Sequence, residues 1–555
     1  MKRLLTLTAL MAAFGTALSG LAVAAPLAAN LPAGALMTLQ TNGAGPTFDR
    51  LLGLVKSVAK DQALTDTAGG LGALFKGSIG NEATLGLFSV GSEKGGFTPA
   101  LLAVSRVDVP SSALFKSLIP NKAGAKVGKY TFVRDSDLFV GLSGGLVYLS
   151  SDKGLLMSYL GRLTGKAAPR LNTAAAYAAP TKAVGEQELS LYFNFSAVAK
   201  VIRGQLGQVL LPRLLSPVVD ALDTLGSYAA GFSTTDSGLE ARSAHLPNPA
   251  GKDKPLYSIL THTTDFAVQT LIPASAEAVT ASACANESAP YLGRWLTRFD
   301  LFDPSGFLTD SQLAAYLEQS ARYLGDECAT VTLAGGGRAG LNQTNPTASL
   351  DYSVTYQRVS DMDAAKAQLP GYVNSLNTAI QGLAGTVGTL GGKLTALSGI
   401  TPTGKSRGNS AVDAAFQSTQ AQLAALKKQI AAIRVVYGFR GDYLVMAYSQ
   451  KALAAALDES VPVLADDTDF ASTELNFMGV AGWSYGKAGT KYSPSDFASA
   501  FKSLETVGYP KSIGQSVSKI LADLLNRYGG MSSQRTAEKG LILEKSVVRY
   551  TWQAR

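Results

Sequence analysis

Residues 80–91 read GNEATLGLFSVG, and residues 325–336 read GDECATVTLAGG. Gly80 falls on Gly325, Glu82 on Glu327 and Gly91 on Gly336. Working outward from this match, further pairs come in one order. LPAGALMTL (31–39) parallels IPASAEAVT (272–280), each opening an extended run just after a proline. LLAVSRVDVPSSALFKSL (101–118) parallels DYSVTYQRVSDMDAAKAQL (351–369), and both carry an alternating strand through an Arg-Val pair into a helix opened by Asp or Ser. GGLVYLSSDKGLLMSYL (144–160) matches GDYLVMAYSQKALAAAL (441–457), a strand and then an amphipathic helix. ELSLYFNFSAV (188–198) echoes ELNFMGVAGWS (474–484), and GLEARS (238–243) parallels GLILEKS (540–546). Six segments recurring in one order predict a tandem duplication, with repeats over 25–262 and 263–555.

Within each repeat the strands alternate apolar and polar residues, as in LSLYFNF and SLDYSVTY. That period predicts antiparallel sheets with one face on a core and the other wet or facing a groove. Stretches such as FDRLLGLVKSVAK and SDFASAFKSLETV are amphipathic and suit the buried face. Strands come in runs rather than strictly alternating with helices, so the class is α+β. The second repeat is longer mainly through an insertion at about 370–433. Its second half, AVDAAFQSTQAQLAALKKQIAAI, places Phe416, Leu423, Leu426 and Ile430 near one helical face, and GITPTGKSRGNS before it reads as a loop. A helical hairpin packed on its own domain is the plain reading, and a docking surface for a partner is the other.

The N-terminus reads as a signal peptide over residues 1–24. Lys2 and Arg3 precede an apolar run from Leu4 to Ala17, and Ala22-Val23-Ala24 offers small residues for cleavage between Ala24 and Ala25. Nothing downstream has the uninterrupted apolar length of a transmembrane helix. Hydrophobic residues make up 46% and charged residues 16%, which supplies a core and argues against disorder. The formal charge of +8 suits an anionic envelope or polymer, but the basic residues are scattered, so specific nucleic-acid binding is not expected.

Cys284 and Cys328 are the two cysteines, and in an exported chain an even pair predicts a disulfide. By loop-closure entropy, a ring of about 45 residues is worth about 4 kcal/mol. His245 and His262 are the two histidines and neither sits in a spaced motif, so no metal or cofactor is expected.

LPAGALMTL at the start of the mature chain, the Gly-Asn-Glu and Gly-Asp-Glu strand starts at 80 and 325, and the strand–helix unit GDYLVMAYSQKALAAAL together resemble the exported bacterial proteins grouped as domain of unknown function 3352. The resemblance spans most of the mature chain. It implies export and a repeated α+β fold, and it brings no activity or functional residues.

Chemical motifs are present only in outline. Gly141-Leu142-Ser143-Gly144-Gly145 fits the G-x-S-x-G of a nucleophile elbow, but strands flank it on both sides and a hairpin turn fits better. Arg440 occupies the place of Ser143 in the second repeat. Gly335-Gly336-Gly337-Arg338-Ala339-Gly340 fits G-x-G-x-x-G, yet a polar, strand-like segment follows instead of a helix, which reads as a long hairpin loop. Ser57–Lys60 and Ser516–Lys519 fit S-x-x-K on the solvated faces of amphipathic helices. DDTD at 466–469 and FDLFDPSGFLTD at 299–310 lack the offsets of a calcium loop.

The expected function is accordingly a non-enzymatic structural or binding role in the cell envelope, periplasmic or extracellular, through an envelope protein, a polymer or a lipid. The alternative is a periplasmic carrier or chaperone for a hydrophobic ligand, and a serine hydrolase stands third.

Overall fold

The computed structural model describes residues 27–58, 82–91, 97–107, 116, 119, 123–206, 212–298, 312–341, 345, 347–399, 410–497 and 511–552. Residues 1–24, read above as a signal peptide, the expected cleavage point between Ala24 and Ala25, Gly80, Lys60 and the segment 299–310 lie outside these residues. The chain divides into two compact units, residues 1–261 with 527–555, and residues 262–526.

Eighteen strands occur among the described residues. They are β1 (Met37–Asn42), β2 (Glu82–Gly91), β3 (Phe97–Arg106), β4 (Ala125–Val127), β5 (Tyr130–Asp135) and β6 (Leu138–Ser143). Next come β7 (Leu146–Ser150), β8 (Leu189–Asn194), β9 (Ser227–Thr235), β10 (Gly238–Leu246), β11 (Ala278–Ala283) and β12 (Leu324–Thr332). The rest are β13 (Ser353–Val359), β14 (Val436–Arg440), β15 (Tyr443–Ala447), β16 (Gly482–Gly486), β17 (Tyr528–Glu538) and β18 (Leu541–Tyr550).

The first unit is one antiparallel sheet in the order β4-β5-β6-β7-β3-β2-β1-β8-β9-β10-β18-β17. Sequence assigned the final hairpin to the second repeat. The ladder from Gly238↔Arg549 to His245↔Ile542 makes it part of the first unit's sheet instead. Alternation sets the two faces. On β2, Glu82, Thr84, Gly86 and Phe88 are buried, while Leu85 and Leu87 on the opposite face are half-buried. The buried face carries Leu102, Val104, Tyr148 and Tyr192, closed by Leu156, Tyr159 and Leu160 of the helix Lys153–Leu163 and by Tyr177 of the helix Ala175–Val184. Asp152 starts the first of these helices by accepting the Leu155 N–H at 2.6 Å, a cap worth about 1 kcal/mol.

The second unit has the antiparallel order β14-β15-β13-β12-β11-β16. Its core is aromatic at one end: Phe470 lies 5.5 Å from Trp483 and 5.1 Å from Tyr485 between ring centroids. Ser449 accepts the Ala452 N–H at 3.2 Å and opens the covering helix Gln450–Leu457. Cys284 and Cys328 form a disulfide between the end of β11 and β12, with Cα atoms 5.9 Å apart.

Two local expectations are corrected. ELNFMGVAGWS is not a strand from its start, because Glu474 takes a left-handed φ of 53° and the ladder begins only at Gly482. The insertion is not separate from the preceding helix, since one helix runs from Met362 to Gly399 through Pro370 and is followed by the helix Ser410–Ala432. The two pack on each other through Ala384 and Val387 against Leu423, Leu426 and Ile430. Ala379 and Leu376 pack on Leu313 and Leu317 of the same unit. Among the described residues no helix is long and apolar enough to cross a membrane.

Candidate binding face of the first sheet

Ser143 ends β6, and Gly144 and Gly145 make the turn into β7 with φ of +62° and +72°. Two successive positive φ values are those of the tight hairpin turn that suits the right-handed twist of strands. The motif's first glycine has a packing reason. A Cβ on Gly141 would stand 2.3 Å from the Tyr148 ring and 2.4 Å from the Thr131 carbonyl oxygen. Ser143 Oγ accepts the Thr131 N–H at 3.1 Å and lies 3.1 Å from the Tyr148 hydroxyl, which also reaches the Thr131 carbonyl at 2.7 Å. Burial raises the Tyr148 pKa above its ordinary value. His245 stands on β10, six strand intervals from β7 or about 29 Å, and its Nε2 contacts the Leu225 carbonyl at 2.5 Å. His262 belongs to the second unit, and its Nε2 is buried without a hydrogen-bond partner.

The glycine-rich segment does contain a helix, the four residues Gly336–Ala339, so the expected plain hairpin loop is corrected. Its amides are already used. Glu277 Oε1 accepts the Gly335 N–H at 2.9 Å, and Oε2 accepts the Gly337 N–H at 2.8 Å. Thr490 Oγ1 donates to the same carboxylate at 3.1 Å. The protein's own acid thus sits where an anion would.

The remaining candidates serve local structure. Asp467 of DDTD caps a turn by accepting the Phe470 N–H at 3.0 Å and pairs with Lys487 at 2.5 Å. Burial opposes its charge, but these two partners prevail and hold its carboxyl below the usual range. Among the described residues no group of three or more His, Cys, Asp or Glu side chains could hold a metal ion. Ser516 and Lys519 lie on the helix Lys511–Asn526.

The feature that sequence did not single out is a trough on the face of the first sheet opposite the buried core. Its volume is about 420 Å3. Leu39, Leu189, Leu191, Ala230 and Phe232 supply the floor, Tyr228 stands at one side, and Ser243, Glu544 and Ser546 continue it onto β10 and β18. One register row explains the arrangement: Leu39 opposes Leu191, Leu191 opposes Ala230, Ala230 opposes Ser243, and Ser243 opposes Glu544. Leu39 is 38% exposed and Leu191 36%, although each is directly opposite the other. Toward β7 the same face is covered: Ala103, Val140 and Leu149 are buried. In the second unit the row Thr355–Thr330–Thr280–Ser484 is hydroxylic, with Thr330 and Thr280 exposed.

No family model matches this chain, and no curated protein matches it. Two solved structures of TP0453, crystal forms III and I, are similar to parts of it at 12% identity. They cover 44% and 43% of this chain and 90% and 88% of their own, with TM-scores of 0.24 and 0.23. Likeness at that level places neither a fold nor a site.

Proposed function

We propose that this is an exported envelope protein that works by binding rather than by turnover, and that its ligand is apolar, held on the open face of the first sheet. The observation that carries the reading is the trough of about 420 Å3 with Leu39 and Leu191 exposed at its floor. Its volume lies in the range of small-molecule pockets, and clustered exposed leucines on a sheet face lose free energy unless something covers them. Ser143, Gly335–Gly340 and Asp467 are each occupied by local structural contacts, which favours binding over catalysis.

We further infer that the two units are copies of one domain, in keeping with the resemblance to the domain of unknown function 3352 proteins. The order β6-β7-β3-β2-β1-β8 recurs as β14-β15-β13-β12-β11-β16. Support also comes from one contact: Glu82 accepts the N–H of Leu27 and pairs with Arg106, as Glu327 accepts that of Val268 and pairs with Arg358. On this reading the first copy keeps an apolar open face and the second carries hydroxyls at the same register.

The test is native mass spectrometry of the protein purified gently from its own envelope, beside a Leu39→Gln, Leu191→Gln double variant. A mass excess that denaturation removes, and that the variant lacks, is the expected result. A bare wild-type mass together with no uptake of any alkyl probe in solution would sink the reading.

A further inference from the structure

We infer that Asn42 is a site of self-modification: the Gly43 backbone nitrogen displaces its side-chain amide, which leaves a carboxylate facing Glu82 and weakens the first sheet.

Asn42-Gly43 is the single Asn-Gly step of the chain. Asn42 ends β1, and Gly43 opens the short link to the helix Gly45–Val58. Asn42 is exposed, and its carboxamide makes no hydrogen bond among the described residues. Gly43 takes a left-handed φ of 66°, and a Cβ built there would meet nothing within 4 Å. No side chain therefore crowds the approach of the Gly43 nitrogen to Asn42 Cγ. Other asparagines are held back. Asn194, Asn377 and Asn526 have their side chains in hydrogen bonds. Asn248 precedes Pro249, which has no N–H to attack with.

The Gly43 nitrogen loses its proton and bonds to Asn42 Cγ, the Cγ–Nδ2 bond breaks, and ammonia leaves. A cyclic succinimide remains. Water then opens the ring at one carbonyl to give aspartate, or at the other to give isoaspartate, whose backbone is one methylene longer. Water is the only co-reactant.

The product has a structural consequence. Asn42 stands directly opposite Glu82 in the β1–β2 ladder, so the two side chains share a face about 5 Å apart. Glu82 is 8% exposed, accepts the Leu27 N–H and pairs with Arg106. A carboxylate at position 42 adds a like charge to this arrangement, and like charges directly opposed across a ladder destabilise it. Isoaspartate adds a second fault. The Asn42 N–H bonds the Glu188 carbonyl at 2.9 Å, and the Thr47 hydroxyl bonds the Glu188 carboxylate. An extra methylene between these two anchors disturbs both. In the second unit the residue facing Glu327 is Ala283, which cannot react this way.

The experiment warms the purified full protein at mildly alkaline pH and follows it by peptide mass spectrometry. The tryptic peptide ending at Arg50 should gain one mass unit and split into aspartyl and isoaspartyl forms before any other asparagine converts. Asn42→Ser should abolish the gain. Asn42→Asp, which places the carboxylate directly, should lower the first unit's melting transition by about 2 °C relative to Asn42→Ser, and salt should narrow the gap. If Asn42 survives intact, or converts only after other asparagines, the inference is overturned. Equal melting of the Asp and Ser variants overturns the claim that the new charge opposes Glu82. The mass measurement uses the wild type alone, so it decides the modification even if a variant fails to fold.

Discussion

Arg358 Nη2 lies 2.9 Å from Oε2 of Glu327, a carboxylate with no solvent exposure at all. Glu327 Oε1 accepts the N–H groups of Ala267 and Val268 at 2.9 and 2.7 Å, and the Tyr443 hydroxyl donates to Oε2. The guanidinium also lies over the Tyr443 ring, 5.5 Å from its centroid. Burial, and then the neighbouring Glu327 charge, push the Tyr443 hydroxyl pKa well up, so it stays a donor. One acid thereby ties β12, β13, β15 and the turn before β11 together.

Removing that acid should be costly. Glu327→Ala strands the Arg358 charge and two backbone N–H groups, and the loss of one member of a buried pair typically costs 3–5 kcal/mol. Urea unfolding of the variant should show a loss of about that size, with Glu327→Gln milder because it keeps an acceptor. A loss below about 1 kcal/mol would mean that Arg358 and the amides find other partners.

The disulfide gives a second expectation. Cys284 and Cys328 are 44 residues apart in sequence, and by loop-closure entropy a ring of that size stabilises by about 4 kcal/mol. Both ends lie in the second unit, so reduction should lower that unit's melting transition and leave the first unit's in place. A scan with and without reductant, repeated on Cys284→Ala with Cys328→Ala, decides it. Equal shifts of both transitions would contradict the assignment.

A third expectation concerns the serine of the G-x-S-x-G stretch. Ser143→Ala removes one acceptor for the Thr131 N–H and should cost about 1 kcal/mol, and a serine-reactive phosphonate should fail to label the wild type. Gly141→Ala should do more harm, about 1–3 kcal/mol, because its Cβ meets the Tyr148 ring and a carbonyl oxygen. Labelling that Ser143→Ala abolishes would overturn this and restore the hydrolase reading.

Much of the fold was legible because a period of two marks both faces of a strand. The alternation in 82–91 and the Arg-Val pairs at 106 and 358 placed β2, β3 and β13. β16 was not legible. GWSYG is framed by two glycines, and the neighbouring ELNFMGV alternates more convincingly, yet Glu474 turns the chain there. Glu277 carries no motif and lies 58 residues before Gly335, so its place at the glycine-rich amides needed the register of β11 and β12. The trough is built from residues 39, 189, 191, 228, 230–232, 241–243, 544 and 546, and no local signal marks which face of an alternating strand is left uncovered.

His245 supplies the pH expectation. Burial holds its imidazole below the ordinary histidine value, and contact with the Leu225 carbonyl offsets this only in part. The Tyr228 ring packs on it at 6.3 Å. In the unfolded chain the same histidine takes up its proton near pH 6.5. Between that pH and the lower folded value the unfolded state binds more protons, so stability rises with pH. The contribution is therefore complete above about pH 6.5 and is lost as the pH falls from there through the folded-state value. Urea midpoints of the first unit's transition should drop from pH 7.5 to pH 5 more steeply in wild type than in His245→Asn, which keeps a neutral donor for Leu225. Carboxylates contribute equally to both proteins, so the difference isolates the histidine. Parallel curves for the two proteins would show that His245 does not titrate differently on folding.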